Sequence, residues 1–200
     1  MKKTLVLAAG AAALMLVATA CGQQTDERVE PTQAEGSSLQ SELAAQAPYV
    51  TLDCVSLQVS PTDAPPNGTT VGDVTAIMQP TGVPAITIAT DATPATELGI
   101  ADISVGSGDQ VQEGDTVTVQ YCGVGLGIQT VFDSSWTTGQ PATFSLAGLI
   151  PGWQEGIPGM QVGGQRLLVI PSDLGYGDQG TQGIPPGETL AFVIQLDAIG

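Results

Sequence analysis

Residues 148–156 read GLIPGWQEG, and this short stretch places one of the chain's two tryptophans, Trp153, inside a run of glycine and proline. Glycine and proline are typical of turns, which rarely need the largest apolar side chain. Pro151 suits the first turn of a helix, because its missing N–H leaves no helical hydrogen bond unmade there. The stretch therefore predicts a short helix whose Trp153 belongs either to an ordinary core or to the wall of a cavity.

Short apolar segments surround this predicted helix, and glycine, proline and aspartate separate them. From about residue 95 onward these segments alternate apolar with polar residues or form short apolar runs, both of which are typical of strands. No window there sustains a long amphipathic helix. We therefore predict an α+β fold, in which an antiparallel sheet packs against one short helix. The predicted strands lie in ELGIADISVGSGD, DTVTVQYCG, TVFDSS, ATFSL, QRLLVIP and TLAFVIQLDAI.

The aromatic residues indicate where the main core lies. The chain has 200 residues, which suits one domain with a tail, and Tyr49 is the only aromatic residue before position 120. Residues 49–94 carry weaker strand patterns: YVTLDCVSLQV alternates, PTDAPPNGTT reads as a loop, and VTAIM and ITIAT read as short strands. These patterns predict an N-terminal extension at 49–94, packed on a main domain at 95–200.

The charge balance excludes several kinds of function. The formal net charge is −16, with four lysines and arginines and no histidine. The absence of histidine excludes histidine acid/base catalysis and most zinc sites. The scarcity of basic residues argues against a nucleic-acid partner, because phosphates are neutralised by clustered lysine and arginine.

The N-terminus has the layout of an export signal. Lys2 and Lys3 precede the apolar stretch TLVLAAGAAALMLVATA, and Cys21 follows directly with alanine at the two positions that matter for cleavage. This arrangement predicts a lipoprotein-type signal at 1–20, lipidation of Cys21 and anchoring to the membrane of the cell envelope. The alternative is an uncleaved membrane anchor, because about 17 apolar residues lie at the lower limit for a bilayer span. Residues 21–48 are polar, lack aromatic residues and predict a flexible tether.

Cys54 and Cys122 remain once Cys21 is assigned. In an exported protein, an even pair of cysteines predicts a disulfide, here one that would pin the extension to the main domain. The alternative is two separately buried thiols.

The order of motifs after residue 95 resembles the FKBP-type peptidyl-prolyl isomerase family. The motifs are VTVQYCG, VFDSS, GLIPGWQEGIPGMQVGGQR, IPSDLGYG and GIPPGETLAFVIQL, in that order. The resemblance covers about half of the chain and implies a curved antiparallel sheet wrapped around one short α-helix. It also implies an aromatic-lined pocket between the helix and the sheet, and no metal or organic cofactor.

The resemblance also implies site residues and their roles. Trp153 would form the floor of the pocket, and the N–H of Ile150 and the hydroxyl of Tyr176 would hold carbonyl groups of the substrate. The residues implied to be catalytic are Tyr121, Phe132, Asp133, Trp153, Tyr176 and Phe192, and those implied to bind substrate are Leu149, Ile150 and Ile184. Taken singly, the aromatic residues could be core and Asp133 a turn cap. Phe144 is assigned to the core and Trp136 to the rim of the pocket.

Three positions depart from the family pattern. Ala142 stands where an aromatic residue is common, no basic residue follows VFDSS to pair with Asp133, and Cys122 stands where threonine is usual. We expect these changes to affect catalytic strength and macrolide affinity more than the fold. Asp133 then either finds a hydroxyl partner, for which Tyr121 is the candidate, or stays partly solvated.

These features predict a peptidyl-prolyl cis-trans isomerase that acts on X–Pro bonds of exported proteins and assists their folding outside the cytoplasm. Its partners would be proline-containing polypeptides, with no nucleic acid, and with the membrane contacted only through the lipid on Cys21. The alternatives are a non-catalytic binding module or chaperone that holds proline-containing segments, and a surface scaffold with a vestigial pocket.

Overall fold

The computed structural model describes residues 47–200. The predicted signal at 1–20, the predicted lipidation site Cys21 and nearly all of the predicted tether at 21–48 lie outside the described residues. Within 47–200, no helix has both the length and the apolar character needed to cross a bilayer.

The first sheet is antiparallel and is built from residues 49–89. Its five strands are β1 (Tyr49–Asp53), β2 (Val59–Thr62), β3 (Thr69–Val71), β4 (Val74–Met78) and β5 (Pro84–Ala89). Their order across the sheet is β2-β1-β5-β4-β3. The alternating run YVTLDCVSLQV forms a strand only in β1, because a turn at residues 54–58 follows and β2 begins at the last residue of the run. The stretch PTDAPPNGTT is a loop only in part, since β2 ends and β3 begins within it.

The second sheet is also antiparallel and is built from residues 99–199. Its strands are β6 (Gly99–Ser104), β7 (Thr116–Gly125), β8 (Thr130–Ser134), β9 (Ala142–Ser145), β10 (Gln165–Ile170) and β11 (Leu190–Ile199). Their order is β6-β10-β11-β7-β8, and β9 pairs with the other end of β7. The only α-helix within residues 47–200 is α1 (Pro151–Gly156), with Pro151 in its first turn, so the α+β prediction with one short helix is confirmed.

The second sheet is buried on both faces. Along β7, the side chains of Val117 and Val119 join the apolar cluster beneath α1, whereas Val124 joins a second cluster shared with the first sheet. Successive strand residues point to opposite faces, so a strand covered on both sides reads as an almost continuous apolar run. This explains the composition of QRLLVIP and TLAFVIQL.

Covalent and polar contacts join the two sheets. Cys54 at the end of β1 forms a disulfide with Cys122 on β7, as the sequence predicts. The Ser134 hydroxyl donates a hydrogen bond of 2.7 Å to the Cys54 carbonyl. The Ala95 N–H donates one of 3.0 Å to the Thr189 hydroxyl, where the chain passes between the sheets. The first sheet therefore covers the face of the second sheet that lies opposite α1.

Candidate active site

A cavity of about 160 Å³ opens between α1 and the second sheet. Residues from β7, β8, β9, β11, helix α1 and its preceding loop, and the loop between β10 and β11 surround it. The lining residues are Tyr121, Phe132, Asp133, Phe144, Leu149, Ile150, Trp153, Tyr176 and Phe192. The lining is mostly apolar, and its side-chain polar groups are two hydroxyls, one carboxylate and the indole N–H of Trp153, which is buried without a hydrogen-bond partner among residues 47–200.

Trp153 is the centre of the cavity's aromatic packing. The centroid of its ring lies 5.6 Å from that of Tyr121, 6.0 Å from that of Phe144 and 5.2 Å from that of Phe192. In each pair the two ring planes are nearly perpendicular. Phe132 meets Phe192 in the same edge-to-face manner at 5.6 Å. Such pairs stabilise a packed cluster by roughly 0.5–1.5 kcal/mol each beyond the area they bury. With only 4% of its surface exposed, Trp153 forms a rigid floor.

Two glycines allow this packing. A Cβ at Gly123 on β7 would lie 2.6 Å from the rings of both Phe132 and Phe192, so a larger residue there would push the two rings apart. A Cβ at Gly152 would lie 2.4 Å from the Ile170 side chain, so glycine allows α1 to lie against β10. Gly152, the middle glycine of GLIPGWQEG, thus sets how closely the turn of helix that carries Trp153 approaches the sheet.

The polar wall of the cavity is a pair formed by Tyr121 and Asp133. The Tyr121 hydroxyl donates a hydrogen bond of 2.6 Å to Oδ2 of Asp133, which supplies the hydroxyl partner expected in the absence of a basic residue. Burial, followed by this hydrogen bond, raises the pKa of Tyr121 well above its ordinary value. Tyr121 therefore stays protonated and remains a donor across the physiological pH range.

Two lining residues near the mouth of the cavity, Ile150 and Tyr176, carry groups that can form hydrogen bonds. Tyr176 is 38% exposed and lies between two 3₁₀ turns, Ser172–Leu174 and Gly177–Gln179. The Ile150 carbonyl accepts the first hydrogen bond of α1, from the Trp153 N–H at 3.0 Å. The Ile150 N–H makes no hydrogen bond within residues 47–200.

The structure brings eight of the nine predicted site residues into the lining of one cavity. The exception is Ile184, which is 5% exposed and packs in the apolar cluster next to the cavity without belonging to its lining. The functional roles of all nine stay predictions.

One aromatic assignment is incomplete and one is wrong. Phe144, assigned to the core, does pack against the apolar cluster beneath α1, but it also lines the cavity and contacts Tyr121 and Trp153. Trp136, assigned to the rim, packs against the cluster between the two sheets. The 3₁₀ turn Ser135–Thr137 follows β8 directly and turns Trp136 to the opposite face. The alternation of β9 could have identified Phe144, whereas nothing local marks Trp136.

The arrangement suits a reaction that needs no nucleophile. Rotation about an amide bond is opposed by resonance, which sets a barrier of about 18–20 kcal/mol. The twisted amide loses that resonance and is less polar than the planar one. A dry, apolar cavity therefore favours the twisted form relative to water, which lowers the barrier by binding the transition state more tightly than the ground state.

Comparison with known proteins agrees with this site. The family model of the FKBP-type peptidyl-prolyl cis-trans isomerases matches residues 108–197, which include every lining residue. An FK506-binding protein of Streptomyces anulatus is 47% identical over 110 residues, which are 53% of this chain and 89% of that protein. A probable FK506-binding protein of Corynebacterium glutamicum is 51% identical over 104 residues, 52% of this chain and 88% of that protein.

Among solved structures, the crystal structure of FkpA from Escherichia coli matches with a TM-score of 0.49 and 41% identity, covering 52% of this chain and 48% of that one. The two FK506-binding proteins are each covered over most of their length, and the matched region of this chain contains the whole cavity. The chain is an enzyme of the FKBP-type peptidyl-prolyl cis-trans isomerase family.

Proposed function

We propose that this enzyme isomerises X–Pro bonds of exported proteins and thereby assists their folding outside the cytoplasm. The single observation that carries the proposal is the aromatic-lined cavity floored by Trp153. Uncatalysed prolyl isomerisation takes tens of seconds or more, so a catalyst shortens the slowest step of folding for many proteins.

In the proposed complex, the proline ring packs on Trp153 and Phe192 at the floor of the cavity. The Ile150 N–H and the Tyr176 hydroxyl bind substrate carbonyls on either side of the rotating bond, and Asp133 with Tyr121 forms the polar wall. The six-stranded sheet curves around α1, which keeps this wall facing the helix. Leu149 and Ile184 complete the apolar surroundings of the bound segment.

Two sequence features support export. Residues 1–21 have the order of a lipoprotein signal, with a basic start, an apolar stretch and a cysteine. The Cys54–Cys122 disulfide suits an oxidising compartment, since cytosolic thiols are mostly kept reduced. Lipidation of Cys21 would then hold the enzyme at the membrane of the envelope, with residues 22–48 as its tether.

The catalytic part of the proposal is tested with a protease-coupled assay on a proline-containing tetrapeptide. We expect Trp153→Leu to lower kcat/KM by about tenfold or more, because it removes the floor on which the proline ring packs. Trp136→Leu is the matched control, since it is the same substitution on the opposite face of the sheet. Equal losses in the two variants would place the site elsewhere. If the parent protein binds the peptide but isomerises it no faster than the uncatalysed rate, the result would support the non-catalytic binding module instead.

The export part is tested by fractionating cells that produce the full chain. Mass spectrometry should find a lipid on Cys21, and Cys21→Ala should release the protein from the membrane fraction. An unmodified N-terminus that still fractionates with the membrane would support the uncleaved anchor.

A further inference from the structure

The turn between β1 and β2 presents an unusual apolar surface. Among residues 47–200, six large apolar or aromatic side chains are more than a third exposed, and three of them lie within five residues. These are Val55 (43%), Leu57 (47%) and Val59 (46%), which we call the apolar turn. Single exposed apolar residues are common, but a local concentration of them typically marks an interaction surface.

The backbone of the apolar turn is held in a costly conformation. Leu57 has a φ of 56°, in the left-handed region that favours glycine and asparagine. A bulky residue persists there only where the surroundings impose the conformation, and such positions cluster at functional sites. A solvent-exposed turn with no further role would be more stable with asparagine or glycine at this position.

Hydrogen bonds with neighbouring residues hold the turn around Leu57 in this conformation. The Asp53 carboxylate accepts hydrogen bonds from the N–H groups of Val55 (3.0 Å) and Ser56 (2.7 Å). Its other oxygen accepts one from the Gln79 side chain at 3.1 Å, and the Leu57 N–H donates to the Asp53 carbonyl at 3.0 Å. The apolar side chains are therefore displayed by a rigid turn and not by a flexible loop, which lowers the entropic cost of binding something to them.

The apolar turn lies at the edge of the sheet that carries the cavity. Cys54, which opens the turn, is bonded to Cys122, the residue after Tyr121, with their Cα atoms 5.9 Å apart. Consecutive Cα atoms are about 3.8 Å apart, so the Cα of Cys54 is within about 10 Å of that of Tyr121. The Cys54 carbonyl also accepts the hydrogen bond from Ser134, the residue after Asp133 on the edge strand β8. The turn thus lies beside the edge strand that carries Asp133, on the face of the second sheet opposite the cavity, so an extended chain would reach both by passing around β8.

We propose that the apolar turn is a second binding surface for the polypeptide substrate, which contacts apolar side chains of an unfolded chain whose X–Pro bond lies in the cavity. The inference rests on the proposed function, because it assumes that the cavity binds a proline-containing segment of the same unfolded chain. A tetrapeptide fills only the cavity, whereas an unfolded protein reaches both surfaces. The turn would therefore raise affinity for protein substrates and leave tetrapeptide turnover unchanged.

The test compares the parent with Leu57→Asn and Val55→Thr in the full chain. Leu57→Asn removes the apolar side chain and suits the left-handed conformation, so it folds at least as stably as the parent. Val55→Thr keeps the shape of the side chain and adds a hydroxyl. Val105→Asn is the matched control, because Val105 is exposed and follows β6, at the opposite edge of the sheet from β8.

Two readouts separate this inference from the proposed function. One is kcat/KM on a proline tetrapeptide, and the other is the Kd for a permanently unfolded, reduced and carboxymethylated proline-containing protein, measured by fluorescence anisotropy. We expect Leu57→Asn to weaken binding of the unfolded protein by about three- to tenfold, with unchanged tetrapeptide turnover. Val105→Asn should change neither quantity.

Unchanged affinity of Leu57→Asn and Val55→Thr for the unfolded protein would overturn the inference, and so would an equal loss in Val105→Asn. An equal loss on the tetrapeptide would also overturn it, because the turn would then act through the shape of the cavity. Absence of tetrapeptide turnover in the parent would contradict the proposed function alone, since the Kd comparison does not depend on turnover.

Discussion

At the scale of single residues, the cavity combines one polar pair with an apolar floor. The 2.6 Å hydrogen bond from Tyr121 to Asp133 orients the carboxylate at the mouth, where Asp133 itself is exposed. Trp153 supplies the floor and touches three other aromatic rings. If desolvation of the twisted amide dominates catalysis, the floor contributes more than the pair.

Tyr121→Phe tests whether the apolar floor contributes more to catalysis than the Tyr121–Asp133 pair. The variant keeps the ring but removes the hydrogen bond to Asp133. Hydrogen bonds to charged groups contribute roughly 1.5–3 kcal/mol, and this one should contribute less because Asp133 is exposed and water competes for it. We expect kcat/KM on a proline tetrapeptide to fall by less than about tenfold, and by less than in Trp153→Leu. Tyr49→Phe, in β1 of the first sheet, is the control and should have no effect. A larger loss in Tyr121→Phe than in Trp153→Leu would mean that the polar wall, and not the floor, dominates.

The pKa of Asp53 makes the free energy of unfolding depend on pH in the acidic range. The N–H of Ser56 is the main cause that lowers the pKa of Asp53 from 3.8 to about 2, with burial opposing it. Because the folded pKa lies below the unfolded one, this stabilisation is complete above pH 3.8 and is lost as the pH falls towards 2. Asp53 is largely solvated, so screening keeps the effect to about 1 kcal/mol or less.

We therefore expect Asp53→Asn to show a flatter dependence of unfolding free energy on pH between about 4 and 2 than the parent. The asparagine oxygen can still accept the two backbone hydrogen bonds, so the turn is retained without a titrating group. Denaturant unfolding at several pH values measures the difference. Parallel curves for the parent and the variant would contradict the prediction.

At the scale of elements, α1 is held at both ends. Gly152 places its start against Ile170, and Arg166 on β10 binds its end by donating from Nη1 to the carbonyls of Gly156 (2.8 Å) and Pro158 (3.3 Å). The Nε of Arg166 donates to Asp102 on β6 at 2.7 Å. One buried cation thus ties the helix carrying Trp153 to two strands of the sheet.

Replacing Arg166 with methionine should lower the free energy of unfolding by about 2–4 kcal/mol, because it leaves buried carbonyls without donors. Asp102→Asn should cost less than about 1 kcal/mol, since Asp102 is partly exposed and water can replace it. Denaturant unfolding of both variants gives the comparison. Similar losses in the two would mean that the ion pair, and not the binding of the helix end, stabilises this region.

At the scale of the whole molecule, the first sheet acts as the cover of the second. It buries the face of β7, β10 and β11 that α1 leaves open, and the Cys54–Cys122 disulfide closes a chain separation of 68 residues across the two sheets. A crosslink over that length restricts the unfolded chain considerably.

Reduction of the disulfide should therefore lower the unfolding free energy of the full chain by about 4 kcal/mol. Equilibrium denaturation with and without a thiol reductant measures this, and the double variant Cys54→Ala, Cys122→Ala should behave like the reduced parent. Unchanged stability on reduction would show that the unfolded state already brings the two cysteines together.

Much of the site was predictable because the residues that form it lie in short motifs with local meaning. GLIPGWQEG by itself predicts a helix start and leaves Trp153 as core or cavity wall, whereas the floor and the roles of VFDSS and GYG were implied by the family resemblance. The hairpin in the first sheet was missed, because its turn depends on Asp53 and on the left-handed Leu57. The sequence did not show that Phe144 lines the cavity or that Trp136 packs between the two sheets. The paths of β9 and of the turn after β8 decide which face of the sheet each side chain meets.

Residue patterns alone predict the α+β class, the strand-rich second half and the short helix at Pro151, and the family resemblance adds the aromatic-lined cavity. Periodicity, turn residues and motif order are properties of the sequence, so they can be identified without knowledge of the fold. The tertiary structure was needed to show that Gly123 makes room for two phenylalanine rings and that the first sheet covers the back of the second. These are contacts between distant parts of the chain, and their geometry depends on how the strands pair and on which face each residue points to.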